Sequence, residues 1–321
     1  MFFLPEKEIE KVVFPAVFDN TMLEAWDKCQ TEYMYEFALH KQTVATSVDL
    51  HAGASFATGL EIFRRAYFTD NLGFSKAYEL GALALWDAYG SFIPEVETPK
   101  TRLAMMTAYD YFLTEAFPPG TDHSQPFIAG GEPAIEFSFA LPIPEVTHPL
   151  TGEPLLYCGR LDQIVTHASA LMVEDDKTTK ALGARWRSSW VMRSQFTGYV
   201  WGVQQFGYPV VGALIRGVSI LKYDHGHEEA IVFRKAHEIK QWYAETVARL
   251  NEIKAAYVTG TYHQSLGSSC TLYSGCPFVQ LCQAIDPFQW MGNYATRVWN
   301  PLHRDQVNNI VQGVEPKRLK R

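Results

Sequence analysis

No Gly-x-x-x-x-Gly-Lys-[Ser/Thr] phosphate loop occurs in the 321 residues, so the chain carries no nucleotide motor of that kind. No apolar run reaches the roughly 18 residues that a membrane span needs, and no membrane contact is expected. The opening Met-Phe-Phe-Leu-Pro-Glu-Lys is broken by proline and charges and does not read as a secretory leader. A reducing, cytoplasmic setting is therefore expected, with no disulfides. Internal repeats and low-complexity segments are also absent.

Cysteine is scarce, at five residues, yet it is clustered. Cys270-x5-Cys276-x5-Cys282 offers three thiolates within a Pro/Gly-containing stretch, and a tetrahedral or cubane site wants a fourth. Cys29, in an N-terminal helix with Thr21 as its expected cap, supplies a candidate. Four thiolates suit a [4Fe–4S] cluster and also suit structural zinc. The plain alternative is a set of buried cysteines. Cys158, next to Gly159 in an apolar strand, reads as a small buried hydrophobe.

Two apolar, β-prone runs end in charge. Leu155 to Val165 contains Gly159-Arg160-Leu161-Asp162, and Ala170 to Asp176 leads into Asp175-Asp176-Lys177-Thr178. If Ala168 and Ser169 are the two residues of a tight hairpin turn, His167 pairs with Ala170. The same register sets Asp162 opposite Asp175. Period-2 alternation then turns Lys177 to the face of Asp175, and Glu174 and Asp176 to the other. Two carboxylates and a lysine so placed can hold a divalent cation and activate a water. A solvated strand end is the plain reading. The following periodic segment, Arg185 to Phe206, adds Gln195 and Tyr199 on one helix face.

Gly-x-x-Asp, then Asp-x-Lys-Thr, then Gln-x-x-x-Tyr resembles the PD-(D/E)XK nuclease superfamily in its RecB-like branch. The resemblance runs from roughly Asn20 to Ala284. It implies a restriction-endonuclease-like core and a Mg²⁺- or Mn²⁺-dependent DNase. In it Asp162 and Asp175 are metal-binding acids, with the Asp176 backbone carbonyl as a further ligand. Lys177 is the catalytic lysine, and Gln195 and Tyr199 support the site. Gly53 to Glu61 is similar to the family's Gly-x-x-x-His-x-x-x-Glu helix, but Ala57 stands where the histidine is usual. Glu61 is in register to supply an oxygen instead. One cysteine near the start and three near the end resemble the AddB-type and CRISPR-adaptation-type nucleases that carry a [4Fe–4S] cluster. The x5/x5 spacing departs from theirs. Exonuclease activity in bacterial or phage DNA recombination or repair follows from the resemblance alone.

The net charge of −7 opposes nucleic-acid binding in bulk. Its distribution does not. From Lys177 to Tyr223 there is no acid, and seven basic residues occur: Lys177, Lys180, Arg185, Arg187, Arg193, Arg216 and Lys222. Local field steers a polyanion, which makes Lys180, Arg185, Arg187 and Arg193 candidate DNA contacts. Trp186 and Trp190 interleave with them as base platforms or, more commonly, as core. The tail Lys317 to Arg321 is basic as well. Any helicase or recombination motor is a separate partner chain.

The expected architecture is α/β, a mixed central sheet flanked by helices. Residues 1–130 are helical, 131–260 form the nuclease core, and 261–321 hold the cysteine segment. Helices are expected at Met22–His40, Gly53–Phe68, Ser75–Tyr89, Pro99–Phe117 (capped by Thr98) and His237–Tyr257. Two other readings stand beside the DNase: a noncatalytic DNA-binding or assembly subunit, and a zinc-stabilised RNA-processing nuclease.

Overall fold

The structure, a computed structural model, describes residues 2–3, 12–44, 47–94, 97–120, 124–222, 224–271, 275–302 and 310–312. The basic tail from Lys317 lies outside them. Five long strands form a mixed sheet: β1 Ile135–Thr147, β2 Pro154–His167, β3 Ala170–Thr179, β4 Gly212–Ile220 and β5 His225–Phe233. Their order is β5-β4-β3-β2-β1. The β2–β3 and β4–β5 pairs are antiparallel, and β3–β4 is parallel. The helices used below are α1 Asn20–Lys28, α2 Val48–Arg64, α3 Phe74–Tyr89, α4 Arg102–Tyr111, α5 Ala184–Ser188, α6 Ser194–Gln205 and α7 Ala236–Thr259. A parallel pair needs a crossover, which α5 and α6 supply, and α6 packs on β3 and β4. The chain is thus α/β, with helices flanking a mixed sheet.

The β2–β3 hairpin has the expected register. His167 pairs with Ala170 and Gln163 with Glu174, leaving Ala168 and Ser169 in the turn. Both turn residues have positive φ, 45° and 69°. A type I′ turn needs that, because its twist matches the strands. Neither residue is glycine, and left-handed backbone costs an L residue about 1–2 kcal/mol. The flanking pairs Ile164–Val173 and Val165–Met172 are fully buried. Each such side chain returns about 1.5–3 kcal/mol, so strand burial outweighs the turn.

The chain divides into two compact units. One holds Thr46–Ser138 and Arg160–Ile239, and the other Met1–Ala45, Phe139–Gly159 and Lys240–Val314. In the first, α2, α3 and α4 share a core with β4, including Phe56, Leu60, Leu85, Tyr109, Phe112 and Val218. Every residue of β4 is buried. A strand covered on both faces reads as one apolar run, and Arg216 is the charged exception.

Several boundaries differ from expectation, each for a local reason. The run from Met22 to His40 breaks at Cys29, whose backbone is extended (φ −165°, ψ 116°), and resumes at Gln30–Tyr33. Its N-cap is Asp19, not Thr21: the Asp19 carboxylate accepts the Met22 N–H at 2.9 Å. α4 is capped by Thr101, whose hydroxyl accepts from the Ala104 N–H at 3.2 Å, while Thr98 accepts from the Lys100 N–H. Arg185 to Phe206 divides into α5 and α6. The Arg234 guanidinium donates to the carbonyls of Trp190 and Arg193 at 3.5 and 3.3 Å, satisfying the broken segment. His225 and His227 lie in β5.

Candidate active site

The hairpin ladder ends at Gln163–Glu174, and the next positions in that register are Asp162 and Asp175. Asp162 Oδ2 accepts the Asp176 backbone N–H at 2.7 Å. Lys177 Nζ pairs with Asp175 Oδ2. Asp175 is 3% exposed. Burial lifts the Asp162 carboxyl well above its ordinary range, Asp175 and Glu136 lift it further, and Lys177 opposes them. Asp175 is also raised, by burial first, against the pull of Lys177. Burial acts to lower Lys177, but Asp175 and Asp162 outweigh it and hold the ammonium form. Crowded carboxylates that resist ionisation mark a place short of positive charge. Hard oxygen donors of this kind suit Mg²⁺ or Mn²⁺.

The other face of β3, which carries Glu174 and Asp176, is as charged, and its acids are met by two arginines that the sequence does not pair with them. Arg216 Nη2 meets Glu174 Oε1 at 2.7 Å, and its Nε meets Asp176 Oδ1 at 3.0 Å. Arg64 Nη2 pairs with Asp176 Oδ2 and lies 3.4 Å from Glu174 Oε1. The Gln163 side-chain amide also donates to Glu174 Oε1. Burial pushes Glu174 up to about 7, against Arg216 and Arg64. Asp176 is burdened by burial too, but Arg64 and Arg216 prevail and hold it below the usual range.

Glu136 was not singled out from sequence. It is buried, has φ 52°, and its Oε2 accepts from Arg160 Nε at 2.5 Å. It is the second-largest charge acting on Asp162. An acid held in a left-handed backbone beside a carboxylate pair is the kind of local strain that gathers at working sites. Its signal in the sequence was a glutamate inside Ile135-Glu136-Phe137-Ser138-Phe139, which alternation assigns to a solvent face. Glu61 gives one oxygen to Arg65 Nε at 3.0 Å and the other to Arg160 Nη2 at 2.9 Å. Gln195 Nε2 donates to the Tyr199 hydroxyl at 2.9 Å, joining those two on α6. His51 bonds the Tyr89 carbonyl and stacks on Phe92 at 4.1 Å, and Ala57 is exposed.

The acid-free basic segment is partly neutralised by acids from elsewhere. Arg216 is buried in the pairs above and does not join a DNA-facing field. Lys180 pairs with Asp49 at 3.2 Å, and Arg187 with Glu228. Arg185, Arg187 and Arg193 are exposed. Trp186 lies on β4: a Cβ on Gly217 would meet its ring at 2.4 Å. That contact favours packing over base stacking.

In the second unit, Ser265 bridges two cysteines. Its N–H points to Cys29 Sγ at 3.5 Å, and its carbonyl faces Cys270 Sγ at 3.5 Å. Burial raises Cys282, with Cys29 and Cys270 adding to it. Burial pushes the Cys276 thiol up to about 11, and Cys282 contributes. The four thiols therefore share one neighbourhood, and Cys158 is buried in β2. Among the described residues, no group of three or more His, Cys, Asp or Glu side chains is arranged to hold a metal ion. No described helix is long and apolar enough to cross a membrane.

No family model and no curated protein matches the chain. Among solved structures, it is similar to one described as "Putative exonuclease" from Eubacterium rectale. The identity is 11% over 89% of this chain and 100% of that one, with a TM-score of 0.45. A second, SSO0001, is 13% identical over 87% of this chain and 91% of its own, with a TM-score of 0.31.

Proposed function

We propose that the chain is a Mg²⁺- or Mn²⁺-dependent deoxyribonuclease, an exonuclease of bacterial or phage DNA metabolism working in the cytoplasm. The observation that carries this reading is the hairpin register, which makes Asp162 and Asp175 successive partners beyond the ladder with Lys177 on Asp175. Asp162, Asp175 and the Asp176 carbonyl would hold a divalent cation, which would supply charge for the phosphate and lower the pKa of a water. Lys177, held as an ammonium, orients that water and offsets negative charge on the phosphoryl oxygens. Gln195, fixed by Tyr199, orients the water or a phosphate oxygen. Glu61 completes the ligand shell only by leaving Arg65 or Arg160. DNA lies along Lys180, Arg185, Arg187 and Arg193, and binding there displaces Asp49 and Glu228. Cys29, Cys270, Cys276 and Cys282 would be the thiolates that hold a [4Fe–4S] cluster, or else zinc, whose donor chemistry they match.

End-labelled single- and double-stranded DNA with Mn²⁺ tests the reading. The wild-type chain should cut, and Asp162→Ala and Asp175→Ala should not. Lys177→Ala should lose at least about 100-fold in rate while still binding Mn²⁺, because one preorganised donor to developing charge supplies roughly 10²–10³-fold. Cleavage by Lys177→Ala at the wild-type rate would sink this assignment.

A further inference from the structure

We propose that Arg64 and Arg216 are positioning residues for the cation site, acting through Asp176 from the opposite face of β3. The inference rests on the nuclease reading above. Asp176 is the middle residue of Asp175-Asp176-Lys177. Its backbone N–H is bonded to Asp162, and its two carboxylate oxygens are taken by Arg64 and Arg216. One residue thus ties together both metal-binding acids and two guanidinium groups. On a strand, neighbours point to opposite faces, so any rotation of Asp176 carries Asp175 and Lys177 the other way. Glu174, on the arginine side of Asp175, is fixed by the same two arginines and by Gln163.

Stability alone is a poor reason for this layer. Arg64 and Arg216 are each 4% exposed and Glu174 is 0% exposed. Desolvating several charges commonly offsets their attraction, and a well-packed apolar set of the same volume often does as well or better. What the charged layer supplies instead is geometry. Two planar forks arriving from different elements, α2 and β4, leave β3 little freedom to twist where its carboxylates must converge. The Arg216 guanidinium is further held over the Phe112 and Phe117 rings at 5.2 and 4.9 Å.

Arg64→Lys and Arg216→Lys keep the charge and lose the fork. Both should retain the wild-type circular dichroism. The calorimetric Mn²⁺ dissociation constant without DNA should rise about 10–100-fold, the range usual for outer-shell partners of a ligand. The Mn²⁺ needed for half-maximal cleavage should rise in step, with KM for DNA within about twofold. Asp176→Asn should show the same shift and add less to Arg64→Lys than it does alone, since both cut one link. If a lysine variant does not fold, Asp176→Asn carries the test by itself. A fall in melting temperature with wild-type Mn²⁺ affinity in all three overturns the proposal. Asp162→Ala separates the two readings. If it abolishes Mn²⁺ binding while the arginine variants bind normally, only the positioning role falls. If it also binds normally, the nuclease site falls with it.

Discussion

At the scale of single residues, the carboxylate pair behaves as a proton store in the metal-free chain. The native Asp162 carboxyl is raised above its unfolded value, near about 3.9, by burial and then by Asp175. The folded form therefore keeps a proton that the unfolded form has lost. Its contribution to stability is present below the unfolded value and disappears as pH rises through the native one. Asp162→Asn, neutral throughout, should make the metal-free chain more stable than wild type at neutral pH. The gain should read as a higher melting temperature and should vanish below about pH 4, where both states hold the proton. Added Mn²⁺ should raise the wild-type melting temperature, more so as pH rises, and leave the variant unmoved. A metal-free variant that melts below wild type at neutral pH contradicts this account. Asp162, Asp175 and Lys177 were legible in the sequence because a two-residue hairpin makes register a matter of counting. Arg64 and Glu136 were not. Nothing local to Phe63-Arg64-Arg65 tells which arginine turns inward, since that depends on acids 110 and 112 positions away. Arg216 was legible in principle, as a charge inside an apolar run that requires a partner. In the sequence it stands only as one of seven basic residues in the acid-free segment.

At the scale of elements, α5 owes its place to a missing side chain. Gly217 in β4 leaves the gap in which the Trp186 ring lies, with Leu182 beside it. Gly217→Ala would put a methyl group 2.4 Å from a rigid ring, so α5 must shift. Arg185 and Arg187 would move with it. The expected result is a stability loss of about 1–3 kcal/mol, typical of overpacking, and weaker DNA binding with unchanged Mn²⁺ affinity. Thermal melts with DNA and Mn²⁺ titrations check this, and unaltered DNA affinity would remove α5 from the interface. The hairpin and the long helices were legible as elements because their patterns are periodic. The breaks were not. Cys29 leaves the helix without a proline or glycine to announce it, and the gap between α5 and α6 is satisfied by Arg234, some 40 positions on.

At the scale of the whole molecule, the thiol neighbourhood is the boldest expectation. Anaerobically purified chain should be brown, with iron and sulfide in near-equal amounts. Cys29→Ser should lose the colour and lower the melting temperature, because metal binding is folding energy for its unit. Cys158→Ala should keep both. Colourless protein with one zinc per chain would assign the four thiols to zinc. The overall α/β order was legible in the sequence because alternation and helical periodicity each extend over many residues. The partners of each charge were settled only by chain segments far apart. That separation bears on how the hairpin is kept honest. A slip of one residue either way would set Glu174 or Asp176, still an acid, opposite Asp162. Ala-Ser is not a turn pair that forbids such an error on its own. The mistaken strand would also bring Asp175 and Lys177 to Arg64 and Arg216 in place of their acids. The two arginines thus work as a spelling check on the strand, made by parts of the chain that take no part in writing it.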